Sequence, residues 1–173
     1  NTVAGTTNSL NNADDNQVAG ESNTVDNSEE NTVAGEGNEV FNGSDQNTVA
    51  GTNNTLNTSI NNTVSGVANT LDDAFNNTVA GNANELFNES DNNTVAGTTN
   101  SLNNADDNQV AGESNTVDNS EENTVAGEGN EVFNGSDQNT VAGSNNTLNA
   151  SGNNTVSGFS NTLDNAYSNT VAG

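Results

Sequence analysis

Aliphatic residues recur at short, fixed intervals along the entire chain of 173 residues. The motif Asn-x-Val-x-Gly occurs twelve times, beginning at Asn1, Asn16 and Asn31, in steps of 15, 15 and 16 residues that repeat to the end. A second Asn, first seen at Asn8, stands in each interval and is followed two residues later by Leu or Val. A short fixed period indicates a repeat architecture in which each unit buries its apolar side against its neighbours.

The spacing within each motif predicts β-strands. Residues i and i+2 share a face of a strand, so Asn1 and Val3 should face one way while Thr2 and Ala4 face the other. Asn, Thr, Gly and Val form helices poorly, and no 3.6-residue period is present. We therefore predict an all-β parallel β-solenoid, similar to a β-roll, with two short strands per coil and about 11 coils. Every third coil has 16 residues instead of 15, which gives a 46-residue super-repeat.

The residues at the ends of the strands predict turns and buried amides. Gly5 and Asn12 close the two halves of the first coil, and both residue types tolerate left-handed backbone, so we expect corners there. The two Asn columns, beginning at Asn1 and Asn8, are expected to stack as internal amide ladders that satisfy buried groups and fix the register. Residues 1–173 are expected to form one continuous solenoid segment of a longer repeat protein.

The charge composition excludes several classes of chemistry. The chain has 24 acidic residues and no Lys, Arg, His or Cys, which gives a net charge of −24. It therefore lacks thiol and imidazole groups for catalysis or zinc binding, and it lacks a basic footprint for nucleic acid. No apolar run approaches the about 20 residues of a membrane-spanning helix. We expect neither an enzyme nor a nucleic-acid-binding protein, no membrane insertion, and no cofactor other than bound cations.

Half of the acidic residues lie in the segment that follows the second half of each coil. Carboxylates stacked at strand spacing repel one another unless cations bind between them. Oxygen-only ligands suit Ca²⁺, but the chain contains neither an Asp-x-Asp-x-Asp-Gly loop nor the calcium-binding nonapeptide. We therefore predict diffuse binding of Ca²⁺ or other cations rather than a defined metal site. The residues of this predicted cation surface are Asp14, Asp15, Glu29, Glu30, Asp45, Asp106, Asp107, Glu121, Glu122 and Asp137.

The outward positions form two candidate contact faces. Columns of Thr and Ala in the first half of each coil give a flat face of small residues. This face suits packing against a second copy or a partner, ordering of water and binding of ice, or simple solvation. In the second half an outward Phe recurs every 46 residues and indicates a contact site, with packing under a neighbouring loop as the alternative. The predicted contact residues are Thr2, Ala4, Thr32, Ala34, Thr48, Ala50, Thr63, Thr78, Ala80, Phe41, Phe87 and Phe133.

The repeats resemble those of two groups of bacterial surface proteins. The half-repeat Asn-x-Val-x-Gly is similar to the head repeats of trimeric autotransporter adhesins, whose short units form β-rolls. The alternation over residues 17–25 also resembles ice-nucleation repeats, which have two half-repeats per coil and a threefold higher-order period. Adhesin heads lack the 15-15-16 phase, and ice-nucleation repeats carry Thr-x-Thr where this chain has Thr-x-Ala. Both resemblances imply a β-solenoid.

Two functions fit these observations. The first is a structural, non-catalytic repeat protein that is extracellular or at the cell surface and forms a fibre, stalk or adhesin filament. Its acidic surface would bind cations, and its Thr/Ala face would mediate self-association or contact with other extracellular surface components. The alternative is an ice-binding or ice-nucleating β-solenoid that uses the same face. A polysaccharide-acting β-helix enzyme is disfavoured because the acidic residues recur as columns instead of forming one unique pair.

Overall fold

The computed structural model describes the whole chain, residues 1–173, as a parallel β-solenoid without helices. The strands form one sheet of 12 and another of 11, and every neighbouring pair of strands is parallel. Each coil contributes one strand to each sheet before the chain moves on to the next coil. The predicted fold is confirmed, including the two strands per coil, the absence of helix and the number of coils.

The two sheets differ in strand length, because strands of the first sheet have five residues except for the last and strands of the second have three. The first sheet consists of Thr2–Thr6, Gln17–Glu21, Thr32–Glu36, Thr48–Thr52, Thr63–Val67, Thr78–Asn82, Thr94–Thr98, Gln109–Glu113, Thr124–Glu128, Thr140–Ser144, Thr155–Phe159 and Thr170–Ala172. The second sheet consists of Ser9–Asn11, Thr24–Asp26, Glu39–Phe41, Thr55–Asn57, Thr70–Asp72, Glu85–Phe87, Ser101–Asn103, Thr116–Asp118, Glu131–Phe133, Thr147–Asn149 and Thr162–Asp164.

The aliphatic core is a double column that runs through the middle of the solenoid. In the first sheet Val18 pairs with Val33, and in the second Leu71 pairs with Leu86, so identical or similar side chains stack from coil to coil. These side chains are at most 2% exposed. Burying each Val or Leu stabilises the fold by about 1.5–3 kcal/mol relative to leaving it exposed. The in-register pairing follows from the sequence period, since a slip of one residue would turn the Val column outward.

The two predicted amide ladders are present and buried. The Oδ1 of Asn16 accepts both the backbone N–H and the Nδ2–H of Asn31, at 2.8 and 3.1 Å. The remaining Nδ2–H of Asn31 is directed to backbone carbonyls, including that of Ser44 at 2.7 Å. The same pattern repeats in both Asn columns, and no buried side-chain nitrogen or oxygen lacks a hydrogen-bond partner. The ladders therefore satisfy the buried side-chain amides of both Asn columns while holding successive coils in register.

A fifth buried column, which the sequence analysis did not identify, consists of Ser or Ala three residues before each Asn of the first ladder. Ser44 Oγ accepts the backbone N–H of Ser59 at 3.0 Å and donates to the Phe41 carbonyl at 2.8 Å. Ser59 Oγ repeats the arrangement with the N–H of Ala74 at 3.2 Å. Ala occupies the column at positions 13, 74, 105 and 166. The hydroxyl of each Ser thus supplies a coil-to-coil hydrogen bond that Ala cannot supply.

Each coil turns at three residues with left-handed backbone. In the second coil these are Ser22, Asn27 and Glu30, with φ of 57°, 49° and 57°. Their backbone N–H groups donate to carbonyls of the preceding coil at 3.0, 2.9 and 3.1 Å, so the turns continue the hydrogen-bonding pattern of the sheets. The Asn12 column therefore forms a corner as predicted. The third turn, at Glu30 in this coil, gives each coil a short third side in addition to the two sides formed by the predicted strands.

The prediction that the Gly5 column forms the other corner is wrong. Gly20 lies inside the strand Gln17–Glu21, and the turn comes two residues later at Ser22. Gly20 has a φ of 121°, and a Cβ placed on it would lie 2.0 Å from the carbonyl oxygen of Gly35. Glycine is required here because the backbones of neighbouring coils approach too closely for any side chain, and because L residues rarely adopt this φ.

The extra residue of each 16-residue coil is absorbed at the second turn. In the third coil both Asn42 and Gly43 are left-handed, with φ of 58° and 76°. In the sixth coil the corresponding pair is Asn88 and Glu89, at 55° and 58°. The insertion stays in the turn, so the strands before and after it keep their register, as the pairing of Val33 with Val49 shows.

Candidate functional site

The Thr/Ala face lies on the outside of the first sheet, where the sequence placed it. All of its predicted Thr residues are exposed, and its Ala residues are exposed or half-buried. Thr32, Thr48 and Thr63 are direct partners in adjacent strands, and the 16-residue coil does not interrupt the column. Because neighbouring strands are about 4.7–4.9 Å apart, the Thr hydroxyls form a regular row along the solenoid axis.

The Thr/Ala face carries charge along one edge, in addition to its small residues. The strands of the first sheet extend one residue beyond the Gly column, and that fifth position is exposed. Glu21 and Glu36 pair there in adjacent strands, and Glu113 and Glu128 repeat the pair. The same column contains two exposed apolar residues that the sequence analysis did not single out, Val67 and Phe159. In the sequence, this column is found as the residue that directly follows the Gly of each Asn-x-Val-x-Gly motif.

The outside of the second sheet carries the predicted Phe residues. Glu39 is exposed, Val40 is fully buried and Phe41 is half-buried, so the strand alternates with Phe41 on the outer face. Phe87 and Phe133 occupy equivalent positions in Glu85–Phe87 and Glu131–Phe133. In the other coils this column holds only Asn or Asp. The structure therefore places the three Phe residues as predicted, on one line parallel to the axis.

The predicted cation surface follows the third side of each coil, and several of its carboxylates already accept hydrogen bonds. Asp45 Oδ1 accepts the Glu29 backbone N–H at 2.7 Å, and Asp137 Oδ1 accepts that of Glu121 at 2.9 Å. Asp106 Oδ1 accepts the N–H of Asp91, a residue the sequence analysis did not select, at 2.8 Å. These carboxylates cap a backbone amide in the preceding coil.

The remaining acidic groups of this surface are not organised around a point. Glu30 and Glu122 each accept a hydrogen bond from a Gln Nε2 of the next coil, at 2.8 and 2.9 Å. The structure contains no group of three or more acidic residues arranged to hold a metal ion. The ten residues therefore form a column of charge and are not brought together as a coordination sphere, and their binding of Ca²⁺ or other cations stays a prediction.

Two carboxyl groups near this surface have raised pKa values, chiefly because of desolvation and secondly because of neighbouring carboxylates. Burial raises the pKa of Glu121 above its ordinary value, and the carboxylates of Asp106 and Asp137 raise it further. Burial also raises the pKa of Asp91, against the lowering effect of the hydrogen bond from the Phe75 backbone. Both shifts have the sign expected for acidic groups without a neighbouring cation.

The surface has no pocket. The structure also holds no helix with the length and apolar character needed to cross a membrane. The features available for recognition are thus the two sheet faces and the acidic column.

Comparison with known proteins leaves these surfaces as the main guide to function. No protein-family model matches the chain, and no curated protein matches it in sequence. Among solved structures, the crystal structure of the polySia specific acetyltransferase NeuO aligns over 99% of this chain and 82% of that chain, with 11% sequence identity and a TM-score of 0.17. A TM-score this low carries no argument about fold or function.

Proposed function

We propose that this chain is a structural, non-catalytic segment of an extracellular or cell-surface repeat protein that forms a fibre, stalk or adhesin filament. One observation carries the proposal: two parallel sheets keep an unbroken register through every coil. Nearly every inward position is used for stacking, because Val, Leu, Asn and Ser or Ala columns fill the interior. Such a sequence specifies an elongated element of uniform cross-section, as expected for a spacer or filament.

The proposed mechanical role rests on how the coils are joined. Between consecutive coils there are backbone ladders in two sheets and two amide ladders, and a Ser hydroxyl bond is added wherever the Ser/Ala column holds Ser. Eleven coils at about 4.8 Å each give a rod on the order of 50 Å long. A solenoid held together along its axis in this way resists bending and extension because deformation would break several hydrogen bonds per coil at once.

The exposed faces supply the proposed contacts. The Thr/Ala face is flat and made of small side chains, so a second copy or a partner sheet can approach closely. The acidic column keeps the rods soluble and repels neighbours, so cations are expected to favour lateral association by screening it. Lateral packing should therefore strengthen when Ca²⁺ or salt is added.

Electron microscopy in calcium-containing buffer tests this proposal. Lateral arrays or filaments with axial repeats of about 14 or 29 Å, for three or six coils, are expected. The double variant Ala50→Glu/Ala80→Glu should abolish lateral packing by charging the Thr/Ala face. The matched control Ser9→Glu/Thr162→Glu adds the same charge to the second sheet, in the column where Glu39 already occurs and at positions whose strand partners are Thr24 and Thr147. Dispersed single rods in every condition would contradict the assembly role.

An ice-binding or ice-nucleating role is the second candidate, and the exposed Thr row favours it. Regular Thr hydroxyls at strand spacing present an ordered array to water, with Thr32, Thr48 and Thr63 in direct register. The triple variant Thr48→Gln/Thr63→Gln/Thr78→Gln should preserve the fold, because Gln17 occupies this column naturally. If the face binds ice, the unaltered chain shows thermal hysteresis or a raised freezing temperature and the variant loses it. Absence of both effects in the unaltered chain would reject this candidate.

A further inference from the structure

The Phe residues of the second sheet are each accompanied by two carboxylates. Glu39 lies two residues before Phe41 on the same strand and the same outer face. Asp26 is the direct partner of Phe41 in the neighbouring strand. The same arrangement recurs in every third coil. We refer to these three groups as the anionic aromatic sites: Asp26, Glu39 and Phe41; Asp72, Glu85 and Phe87; and Asp118, Glu131 and Phe133.

The charge of each site is left uncompensated within the chain. Asp26 accepts a hydrogen bond from the side-chain amide of Asn11 at 2.6 Å, but that donor is neutral. Glu39 is exposed, and the chain contains no Lys, Arg or His that could pair with it. An aromatic side chain that shares a sheet face with two neighbouring carboxylates favours a cation, since the ring face attracts positive charge and the carboxylates bind it directly.

The strand pairing of the second sheet does not require an aromatic residue at these positions. All other coils place Asn or Asp in this column and keep the same strand pairing, as for Asn57 and Asp72. The Phe side chains lie outside the core, because the buried residue of each of these strands is the central Val or Leu. The recurrence of Phe and Glu together in every third coil therefore points to a contact on the outside of the sheet.

We propose that the outer face of the second sheet binds an extended basic polypeptide that places an arginine on each anionic aromatic site. Three coils at about 4.8 Å separate neighbouring sites by about 14 Å. Four residues of an extended chain span about 13 Å, and residues four apart point to the same side. A strand with Arg at every fourth position thus presents its guanidinium groups at nearly the spacing of the sites. Arg suits them because it stacks on aromatic faces and pairs with carboxylates.

This surface goes beyond the proposed structural role and does not depend on lateral assembly, which uses the first sheet. A second copy of the chain is a poor occupant of the anionic aromatic sites, because each copy carries a net charge of −24 and offers no basic side chain. The ligand is therefore a different polypeptide, with basic residues.

Fluorescence anisotropy with two labelled peptides tests the proposal at low ionic strength. The spaced peptide carries Arg at positions 1, 5 and 9 of a Ser/Thr/Gly background, and the clustered peptide has the same composition with the three Arg consecutive. The spaced peptide is expected to bind several-fold more tightly, because it reaches three sites at once. Diffuse attraction to a charge of −24 would give the two peptides equal affinity or favour the clustered one.

Variants drawn from the chain's own repeats locate the binding. Phe41→Asn/Phe87→Asn/Phe133→Asn uses the residue found in this column in other coils, and about a two- to fivefold loss per site is expected for the spaced peptide. Glu39→Thr/Glu85→Thr/Glu131→Thr is a second, independent set, since Thr also occurs at that position. The control set is Asp15→Asn/Glu30→Asn/Asp107→Asn, and Asn occurs at the same position in other coils.

The Glu set and the control set each remove three negative charges, so they separate site binding from general electrostatics. The proposal expects the Phe and Glu sets to weaken binding of the spaced peptide clearly more than the control set, with unchanged circular dichroism. It is overturned if no binding occurs, if both peptides bind equally, if the Phe set leaves affinity unchanged, or if the Glu and control sets cause equal losses. Failure of lateral assembly in microscopy would leave this result unaffected.

Discussion

The side-chain Nδ2 of Asn38 donates a hydrogen bond to the Oδ1 of Asn23, 2.9 Å away in the preceding coil. The same Oδ1 accepts the backbone N–H of Asn38 at 3.1 Å, and the Nδ2 also donates to the Gly51 carbonyl of the following coil at 2.9 Å. One fully buried amide therefore connects three successive coils. Since the pattern repeats in every coil, the ladder has the same donor-to-acceptor direction along the whole rod.

Replacing a ladder amide should destabilise the solenoid strongly. In Asn38→Ala, the backbone N–H and Nδ2–H of Asn54 lose their acceptor and the Gly51 carbonyl loses a donor. With about 1–3 kcal/mol for each buried group left unpaired, we expect a loss of about 2–5 kcal/mol in the free energy of unfolding, measured by urea denaturation. Asn82→Ala, at an exposed position of the strand Thr78–Asn82, should cost less than about 0.5 kcal/mol. Equal effects of the two substitutions would show that the ladder does not stabilise the fold.

Any side chain in the column of motif glycines should clash with the backbone of the next coil. The cost of this clash can be separated from the cost of the backbone conformation. In Gly66→Ala the new Cβ would lie 1.9 Å from the Gly81 carbonyl oxygen, so we expect a loss of about 3 kcal/mol or more. Gly43 also has a positive φ, but a Cβ there would meet no atom within 4 Å. Gly43→Ala should therefore cost only the about 1–2 kcal/mol of left-handed backbone. Thermal unfolding of the two variants measures the difference, and similar midpoints would contradict it.

The sequence period was sufficient to predict the parts of the fold that repeat without variation. Four columns, which begin at Asn1, Val3, Asn8 and Leu10, hold only one type of residue or a close substitute. Because side chains alternate along a strand, the position of each column decides whether it faces inward or outward. Register, strand number and the amide ladders follow from those columns. The same argument placed Phe41 outside, because it lies one residue after a buried Val.

The parts that were missed depend on the contacts between coils. The requirement for glycine at Gly20 comes from the Gly35 carbonyl of the next coil, and the motif alone suggested a corner. The Ser ladder was missed because Ser44 and Ala74 occupy one column, and the mixture hides a shared buried position. The charged edge at Glu21 was missed because the strand extends past the glycine. These features become visible when coils are aligned on the Asn motif and each column is examined.

Completing the Ser ladder should stabilise the protein. The backbone N–H of Ser90 has no hydrogen-bond acceptor in the structure, because Ala74 stands where other coils provide a hydroxyl. Ala74→Ser supplies that acceptor, and we expect a gain of about 1 kcal/mol in the free energy of unfolding. The reverse change Ser59→Ala removes the acceptor of the Ala74 N–H and should cost about 1–2 kcal/mol. Urea denaturation measures both, and a destabilising Ala74→Ser would mean that the column has no room for a hydroxyl at that coil.

Acidification from neutral pH should stabilise the solenoid. Burial raises the pKa of Asp91 above its ordinary value of 3.8, and burial together with neighbouring carboxylates raises that of Glu121 above 4.5. Because the folded-state pKa values exceed the unfolded ones, the folded chain binds protons more tightly. The free energy of unfolding therefore increases as the pH falls through the folded-state pKa values. The gain is complete once the pH is below the ordinary pKa values of the unfolded chain. Protonation also reduces the repulsion that follows from a net charge of −24.

Thermal unfolding from pH 7 down to mildly acidic pH measures this dependence. The midpoint of the unaltered chain should rise as the pH falls towards the ordinary carboxyl values. Asp91→Asn/Glu121→Gln should be more stable than the unaltered chain at pH 7 and should show a smaller rise, since the two most perturbed groups no longer titrate. The Asn oxygen can still accept the Phe75 N–H, which Asp91 accepts at 2.8 Å, so the backbone contact is preserved. A midpoint that falls on acidification would contradict this prediction. It would show that the ionised carboxylates stabilise the folded chain, as they would if cations were bound to them.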